Sequence, residues 1–119
     1  IAFAADSASR YFELLLQSGQ LPTAFLCIGD PFAIDLIHCM KQHGFKIPQD
    51  MSVISIDDLV VSRYLDPPLT TVTFPKEELG RRAVNVLLHM IEGKAYDAVN
   101  LLPVSIVERG SVRRLPELR

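Results

Sequence analysis

Apolar positions recur at two spacings along the chain, and each spacing predicts a different element. Apolar residues three or four apart mark helices that end near a glycine, whereas short apolar or β-branched runs mark strands. Helices are predicted over 7–18, 31–44 and 75–93, strands over 23–29, 52–56 and 70–74, and a further strand-rich stretch over 98–111. The pattern therefore predicts a mixed domain in which helices and strands alternate.

The order of these elements predicts a parallel sheet. A strand, a helix and a second strand follow one another between residues 23 and 56, close to the length of a right-handed βαβ unit. Pro103 has no amide hydrogen to donate, so the last strand-rich stretch is predicted at a sheet edge or at a crossing between two sheets. The predicted fold class is α/β, with a parallel sheet and flanking helices.

Spaced positions mark the first and the last predicted helix. In 7–18, Tyr11, Leu14, Leu15 and Ser18 fall at helical spacing. In 75–93, the apolar stripe is wide enough for more than one row facing a sheet, so this helix needs extensive cover.

Composition narrows the class of protein. The chain has 119 residues, of which 49% are hydrophobic and 22% charged, which suits one folded unit with a core. A net charge of -2 gives no basic surface for direct contact with DNA. Two cysteines in apolar runs favour a reducing compartment, so a cytoplasmic location is expected. The chain shows neither a membrane span nor a signal peptide, and it begins at Ile1 instead of Met, which favours a fragment.

Acidic residues follow two of the predicted strands. Asp30 and Asp57 fall at the carboxyl ends of these strands, where ligands bind in open parallel sheets. Asp30 also directly precedes a helix, where an aspartate commonly caps the first turn. Asp57 and its neighbour Asp58 could instead tie down the loop that follows. Ligand contact and local structure both remain open for these acids.

The motifs of enzymes are absent from the sequence. A phosphoryl-accepting receiver domain needs a third aspartate after a later strand, and neither TTVTF nor LLPVSIV contains one. His38 and His43 are five residues apart, which does not place two metal ligands on one helix face. No glycine pattern of a nucleophile elbow or of a phosphate loop is present. The sequence predicts no enzyme activity, no metal and no cofactor.

Four motifs resemble the lactose/galactose repressor (LacI/GalR) family of bacterial transcription regulators. They are GFKIPQDMSVISIDD, the PPLTTV that follows, the helix segment EELGRRA, and the late LLP and ERGS. The resemblance implies that 1–119 is the C-terminal portion of an effector-binding domain with a partial type I periplasmic-binding-protein-like fold. It assigns 19–72 to the C-terminal subdomain, 75–93 to a helix of N-terminal subdomain type, and 98–111 to a strand that returns across the hinge.

The resemblance also implies a ligand site. Asp57 matches an aspartate that binds effector hydroxyls or a base, and Phe74 matches a position that often lines the cleft. Gly29 stands where many sugar-responsive members have asparagine, so a simple sugar is in question, and Gly29 and Asp30 complete the predicted ligand-binding set. The expected partner is a small effector such as a sugar or a nucleoside. The alternative is a periplasmic-type solute-binding protein of the same fold.

The resemblance further implies a homodimer. Tyr64, Leu65, Phe32 and Leu36 are predicted at the dimer interface, and DNA contact is left to an N-terminal domain that this chain does not include. The 75–93 helix lacks its family partner here and is expected either to pack on another chain, by dimerisation or swapping, or to fold back on the sheet. The predicted function is the effector-sensing and dimerisation part of a LacI-type regulator, with no membrane contact.

Overall fold

The computed structural model describes residues 7–115, so residues 1–6 and 116–119 of the predicted unit lie outside the described range. Its helices are α1 (Ser7–Ser18), α2 (Asp30–Gln42) and α3 (Lys76–Ile91), its strands are β1 (Ala24–Leu26), β2 (Ser52–Ile56), β3 (Thr70–Thr73) and β4 (Ser105–Val107), and a 3-10 helix covers Val60–Tyr64. No helix within the described residues has the length and apolar character needed to cross a membrane.

The four strands form one sheet in the order β1-β2-β3-β4. The first three strands are parallel, with Phe25 opposite Val53 and Ser55 opposite Thr71, as the strand-helix-strand order predicts. Strand β4 pairs antiparallel with β3 and forms an edge, which agrees with the position of Pro103 just before it. The α/β fold class is confirmed. Strand β1 is shorter than predicted because pairing ends at Cys27, whose N–H donates to Ile54.

Helices α1 and α2 pack together and supply most of the core. Phe12 of α1 is fully buried, and its ring makes edge contacts with Phe25, His43 and Phe45 at centroid distances of 6.2, 6.0 and 5.6 Å. These contacts fix how α1 sits on the rest of the fold.

The apolar spacing that marked α1 did not identify its buried face. Tyr11 and Leu14 are 59% and 55% exposed, whereas Phe12 is buried, with Ala8 and Leu16 packed against the core. The positions spaced four apart at 8, 12 and 16 are the ones that turn inward.

Helix α3 stands apart from this core. None of its residues is buried, and it does not fold back onto the sheet as one of the two sequence-based expectations had it. The radius of gyration of the chain is 18.4 Å, whereas a compact domain of this length has about 13.5 Å. Residues 76–107, called the arm below, account for the extended shape because they carry no buried residue.

Two of the motifs that carried the resemblance meet in space. The Gly110 N–H donates to the Pro68 carbonyl at 2.9 Å, and a side chain at Gly110 would come within 3.2–3.3 Å of Pro67 and Pro68. The buried Ser111 hydroxyl accepts the Thr70 N–H and donates to the Val53 carbonyl. The ERGS segment thus packs against the start of β3. These contacts bring the chain back to the core after the arm.

Candidate functional site

The candidate ligand site lies at the carboxyl ends of the parallel strands, named here the ligand edge. Asp57 directly follows β2, Phe74 directly follows β3, and Gly29 lies between β1 and α2. The Asp57 N–H donates to the Val72 carbonyl at 2.9 Å, so β2 and β3 remain paired up to this edge. All three residues therefore lie where open parallel sheets bind ligands.

Gly29 and Asp57 are neighbours in space. A Cβ atom at Gly29 would lie 3.2 Å from Asp57 Oδ2 and 3.6 Å from the ring of Phe32. The backbone at Gly29 has φ of -171°, which any residue can adopt, so space rather than conformation favours glycine here. Because the Asp57 carboxylate occupies that space, an asparagine at position 29 would require Asp57 to move.

Asp57 combines an unusual backbone with an uncommitted carboxylate. Its φ is 120°, a region that L residues rarely adopt, and the adjacent Asp58 has φ of 48°. The half-buried Asp57 side chain makes no hydrogen bond within residues 7–115. Backbone strain of this kind costs about 1–3 kcal/mol and is concentrated at functional sites.

Asp58 has a structural partner instead. Its Oδ1 lies 2.5 Å from Arg109 Nη2, and Arg109 Nη1 donates to the Leu69 carbonyl at 2.9 Å. The hydrogen bond from Arg109 lowers the pKa of the Asp58 carboxyl, and the charges of Arg109, Arg63 and Lys76 act in the same direction. The two adjacent acids are thus divided: Asp58 ties the loop to the ERGS segment, and Asp57 faces the edge.

Asp30 has neither of the roles that the sequence suggested, which were ligand contact and capping of the helix. Gly29 is the N-cap of α2, with no side-chain cap hydrogen bond, and Asp30 is fully buried within the first turn. Its carboxylate accepts hydrogen bonds from Leu59 N–H and Thr71 Oγ1, both at 2.8 Å, and from the Ser62 hydroxyl. A carboxylate enclosed in this way cannot contact a ligand, so Asp30 is withdrawn from the ligand-binding set.

Phe74 lies at the same edge but has its own surroundings. The half-buried ring has the Lys76 ammonium 4.8 Å from its centroid, within the range of a cation–π contact. Phe74 and Pro75 also line a shallow groove with Pro103 and Val104. The residue therefore joins the end of β3 to the start of the arm.

The residues predicted for the dimer interface fall into three groups. Tyr64 is 77% exposed, Phe32 and Leu65 are half-buried against the core, and Leu36 is 3% exposed. Leu36 has no surface to offer a second chain, so its assignment to the interface is wrong. The sequence did not mark Val60 and Val61, which are exposed in the same 3-10 helix as Tyr64.

Cys27 is buried in the core, whereas His38 and His43 are exposed on and just after α2. Burial and the nearby Asp30 raise the pKa of the Cys27 thiol to about 11, so it stays protonated at neutral pH. His43 Nδ1 lies 2.9 Å from the Cys39 carbonyl, and His38 Nε2 lies 3.0 Å from the Gln42 amide, so both rings contact their own helix. Across residues 7–115, no three His, Cys, Asp or Glu side chains group together to hold a metal.

A family model for the periplasmic binding protein-like domain matches residues 2–112. The chain belongs to this family. Within it, the chain is 35% identical over 115 residues to the HTH-type transcriptional repressor CytR of Escherichia coli K12, covering 96% of this chain and 34% of CytR. It is 37% identical over 114 residues to the HTH-type transcriptional repressor PurR of Aliivibrio salmonicida, covering 95% and 34%. The chain thus spans about a third of the length of these relatives.

Solved structures of this periplasmic binding protein-like family give the same result. The Lac repressor bound to ONPG superposes with a TM-score of 0.84 and 33% identity, over 92% of this chain and 34% of that one. A LacI-type regulator from Bifidobacterium animalis gives 0.83 and 28%, over 93% and 40%. The resemblance to the lactose/galactose repressor family is confirmed, and the relatives named are repressors, which does not favour the solute-binding alternative.

Proposed function

We propose that this chain is the effector-sensing and dimerisation part of a LacI-type transcriptional regulator in the cytoplasm, and that it is not an enzyme. The observation that carries the proposal is the Asp57 carboxylate, which is uncommitted at the edge of a parallel sheet and held by a strained backbone beside Gly29. Contact with DNA is assigned to a segment outside this chain, since residues 1–119 carry a net charge of -2.

The proposed effector is a small molecule with hydroxyl or amine donors, such as a sugar or a nucleoside. The Asp57 carboxylate can accept hydrogen bonds from such donors, and a hydrogen bond to a carboxylate contributes about 1.5–3 kcal/mol. Gly29 lets the Asp57 carboxylate lie close to the backbone at the edge, and the half-buried ring of Phe74 lies at the end of the neighbouring strand. An effector held here changes the regulator only if it binds two arrangements of the subdomains with different affinity.

The proposed dimer surface is formed by the exposed side chains of the 3-10 helix. Val60, Val61 and Tyr64 are exposed there, and tyrosine with flanking apolar residues is typical of interface centres. Leu65, half-buried directly after the 3-10 helix, and the half-buried Phe32 are kept in the proposal as predicted interface residues. Lys41 and Asp66, paired at 3.4 Å, offer charged groups for the rim.

Thermal-shift screening of the intact protein against hexoses, nucleosides and amino acids tests the ligand site. A compound that stabilises the wild type should bind Asp57→Ala about 10- to 150-fold more weakly, because a charged hydrogen-bond acceptor is lost. Asp97→Ala is the matched control, since Asp97 is exposed and lies in the loop after α3.

Asp57→Gly separates binding from folding. Glycine adopts φ of 120° without strain, so this variant should be at least as stable as the wild type while losing the ligand. A compound that stabilises the wild type and Asp57→Gly by the same amount would show that Asp57 is not a contact.

A further inference from the structure

Asp30 is the only charged side chain in the buried set of residues 7–115. All three hydrogen bonds to its carboxylate come from neutral donors: the Leu59 N–H, the Ser62 hydroxyl and the Thr71 hydroxyl. No Lys, Arg or His among the described residues forms a salt bridge with it. The site described above gives this carboxylate no role, since it cannot reach a ligand.

The three donors belong to one stretch of chain. Leu59 and Ser62 lie in the segment that leaves β2, and Thr71 lies in β3, which that segment joins. Thr71 Oγ1 also accepts the Asp58 N–H at 3.3 Å, so the left-handed turn at Asp57 and Asp58 is linked to Asp30 through one hydroxyl. The backbone that positions the Asp57 carboxylate is therefore linked to Asp30 in the first turn of α2 twice: through Thr71, and through Leu59 and Ser62.

A buried carboxylate makes these bonds costly to break. A shift of the segment that broke these bonds without admitting water would leave the Asp30 carboxylate without donors, which costs free energy. The amino end of α2 stabilises negative charge but does not replace the lost hydrogen bonds. The arrangement of the segment is therefore tied to a single position of α2.

The segment held in this way connects two surfaces. Asp57 begins it at the ligand edge, and the 3-10 helix Val60–Tyr64 continues it on the exposed side of the molecule. Leu59 lies between the two surfaces and Ser62 is the buried residue of the 3-10 helix, and both donate to Asp30 Oδ2.

We infer that Asp30 is a positioning residue that holds 57–64 as one rigid piece and so couples the Asp57 carboxylate to the exposed surface around Tyr64. The inference rests on the function proposed above for those two surfaces. A ligand that displaces Asp57 then shifts Tyr64 as well, because the hydrogen bonds to Asp30 make the segment move as one piece with the first turn of α2.

Hydrogen exchange of the intact protein, followed by mass spectrometry, tests this inference. Asp30→Asn should speed exchange in the peptide covering 57–65 by about tenfold or more, since an amide cannot accept all three bonds. Sedimentation equilibrium on the same samples should show a dimer that dissociates about tenfold more readily. Asp35→Asn is the matched control: Asp35 lies in the same helix and accepts bonds from Ser9 N–H and Oγ, so its effect should stay in α1.

A second pair of variants guards against misfolding of Asp30→Asn. Thr71→Val removes one donor to Asp30, and Thr71→Ser keeps it, so only Thr71→Val should speed exchange in 57–65. Unchanged protection of 57–65 in both Asp30→Asn and Thr71→Val overturns the inference, as does an equal loss in Asp35→Asn. A monomeric wild type contradicts the proposed dimer instead, while the exchange result still decides the role of Asp30.

Discussion

Helices α2 and α3 are both amphipathic, yet they have opposite surroundings. Six of the 13 residues of α2 are buried, against the sheet and α1, whereas none of the 16 residues of α3 is buried. Both helices have a proline at the start and a glycine with positive φ just past the end. An apolar stripe therefore predicts a helix that needs a partner, but it does not say whether that partner lies in the same stretch of chain.

Local interactions alone support α3 weakly. Glu78 pairs with Arg81 and Arg82 at 2.5 and 2.8 Å, and ion pairs on a solvated helix surface add little stability. Burying one Leu or Met side chain is worth about 1.5–3 kcal/mol, so the uncovered stripe forgoes much more than the ion pairs supply. A helix of this length is marginal without packing, and its expected cover by another chain or subdomain stays a prediction.

The largest expected effect on the free energy of unfolding is in the packed region of α1, α2 and the sheet. Phe12→Ala removes a fully buried ring with three aromatic neighbours and should lower the free energy of unfolding by about 3–5 kcal/mol. Urea unfolding of the chain, followed by circular dichroism, measures the change. Tyr11→Ala, one position away but exposed, is the control, and an equal loss in both variants would mean that α1 is not docked through Phe12.

The packed region was largely predictable because its contacts are regular. The prediction of strand 52–56 matches β2, and that of helix 7–18 matches α1. The 3-10 helix Val60–Tyr64 and the shortness of β4 were not predicted, because a few hydrogen bonds to distant residues decide them. In α1 the spaced residues that marked the helix did not reveal its buried face, since a helix rich in leucine offers more than one apolar row.

The position of Asp57 in the fold was predictable, whereas its surroundings were not. The end of a parallel strand placed Asp57 at the carboxyl end of the sheet, yet nothing local told it apart from Asp58, whose partner Arg109 is 51 residues away. The donors to Asp30 likewise come from 29 to 41 residues along the chain, so its burial left no mark near position 30. Side chains whose roles depend on such distant partners cannot be assigned from spacing alone.

A smaller effect concerns the ion pair that returns the chain from the arm to the core. Because Arg109 lowers the pKa of Asp58 in the folded state, its stabilisation is complete above the unfolded value of about 3.9 and is lost as the pH falls through the folded pKa. Asp58→Asn should cost about 1.5–3 kcal/mol at pH 7. Urea unfolding between pH 7 and pH 2 should show the two proteins converging in acid.

Glu78 of α3 provides the comparison for that ion pair. A hydrogen bond from Arg82 lowers the pKa of its carboxyl too, but on the solvated surface of the helix. Glu78→Gln should therefore change stability at pH 7 much less than Asp58→Asn does. A pH-independent difference between the wild type and Asp58→Asn would contradict the assignment of the Arg109 pair.

The smallest effect on stability is expected for a substitution on α3. It tests whether α3, unlike α2, is without cover. Leu87→Ala removes a side chain that is 55% exposed and should change the free energy of unfolding of the 119-residue chain by no more than about 0.5 kcal/mol. Leu36→Ala, the same substitution on α2, should cost about 2–5 kcal/mol because Leu36 is buried. In the intact protein, the cost of Leu87→Ala should rise toward that of Leu36→Ala if another subdomain covers α3. If it stays near zero there as well, neither another subdomain nor a second copy covers the apolar stripe of α3 in the intact protein.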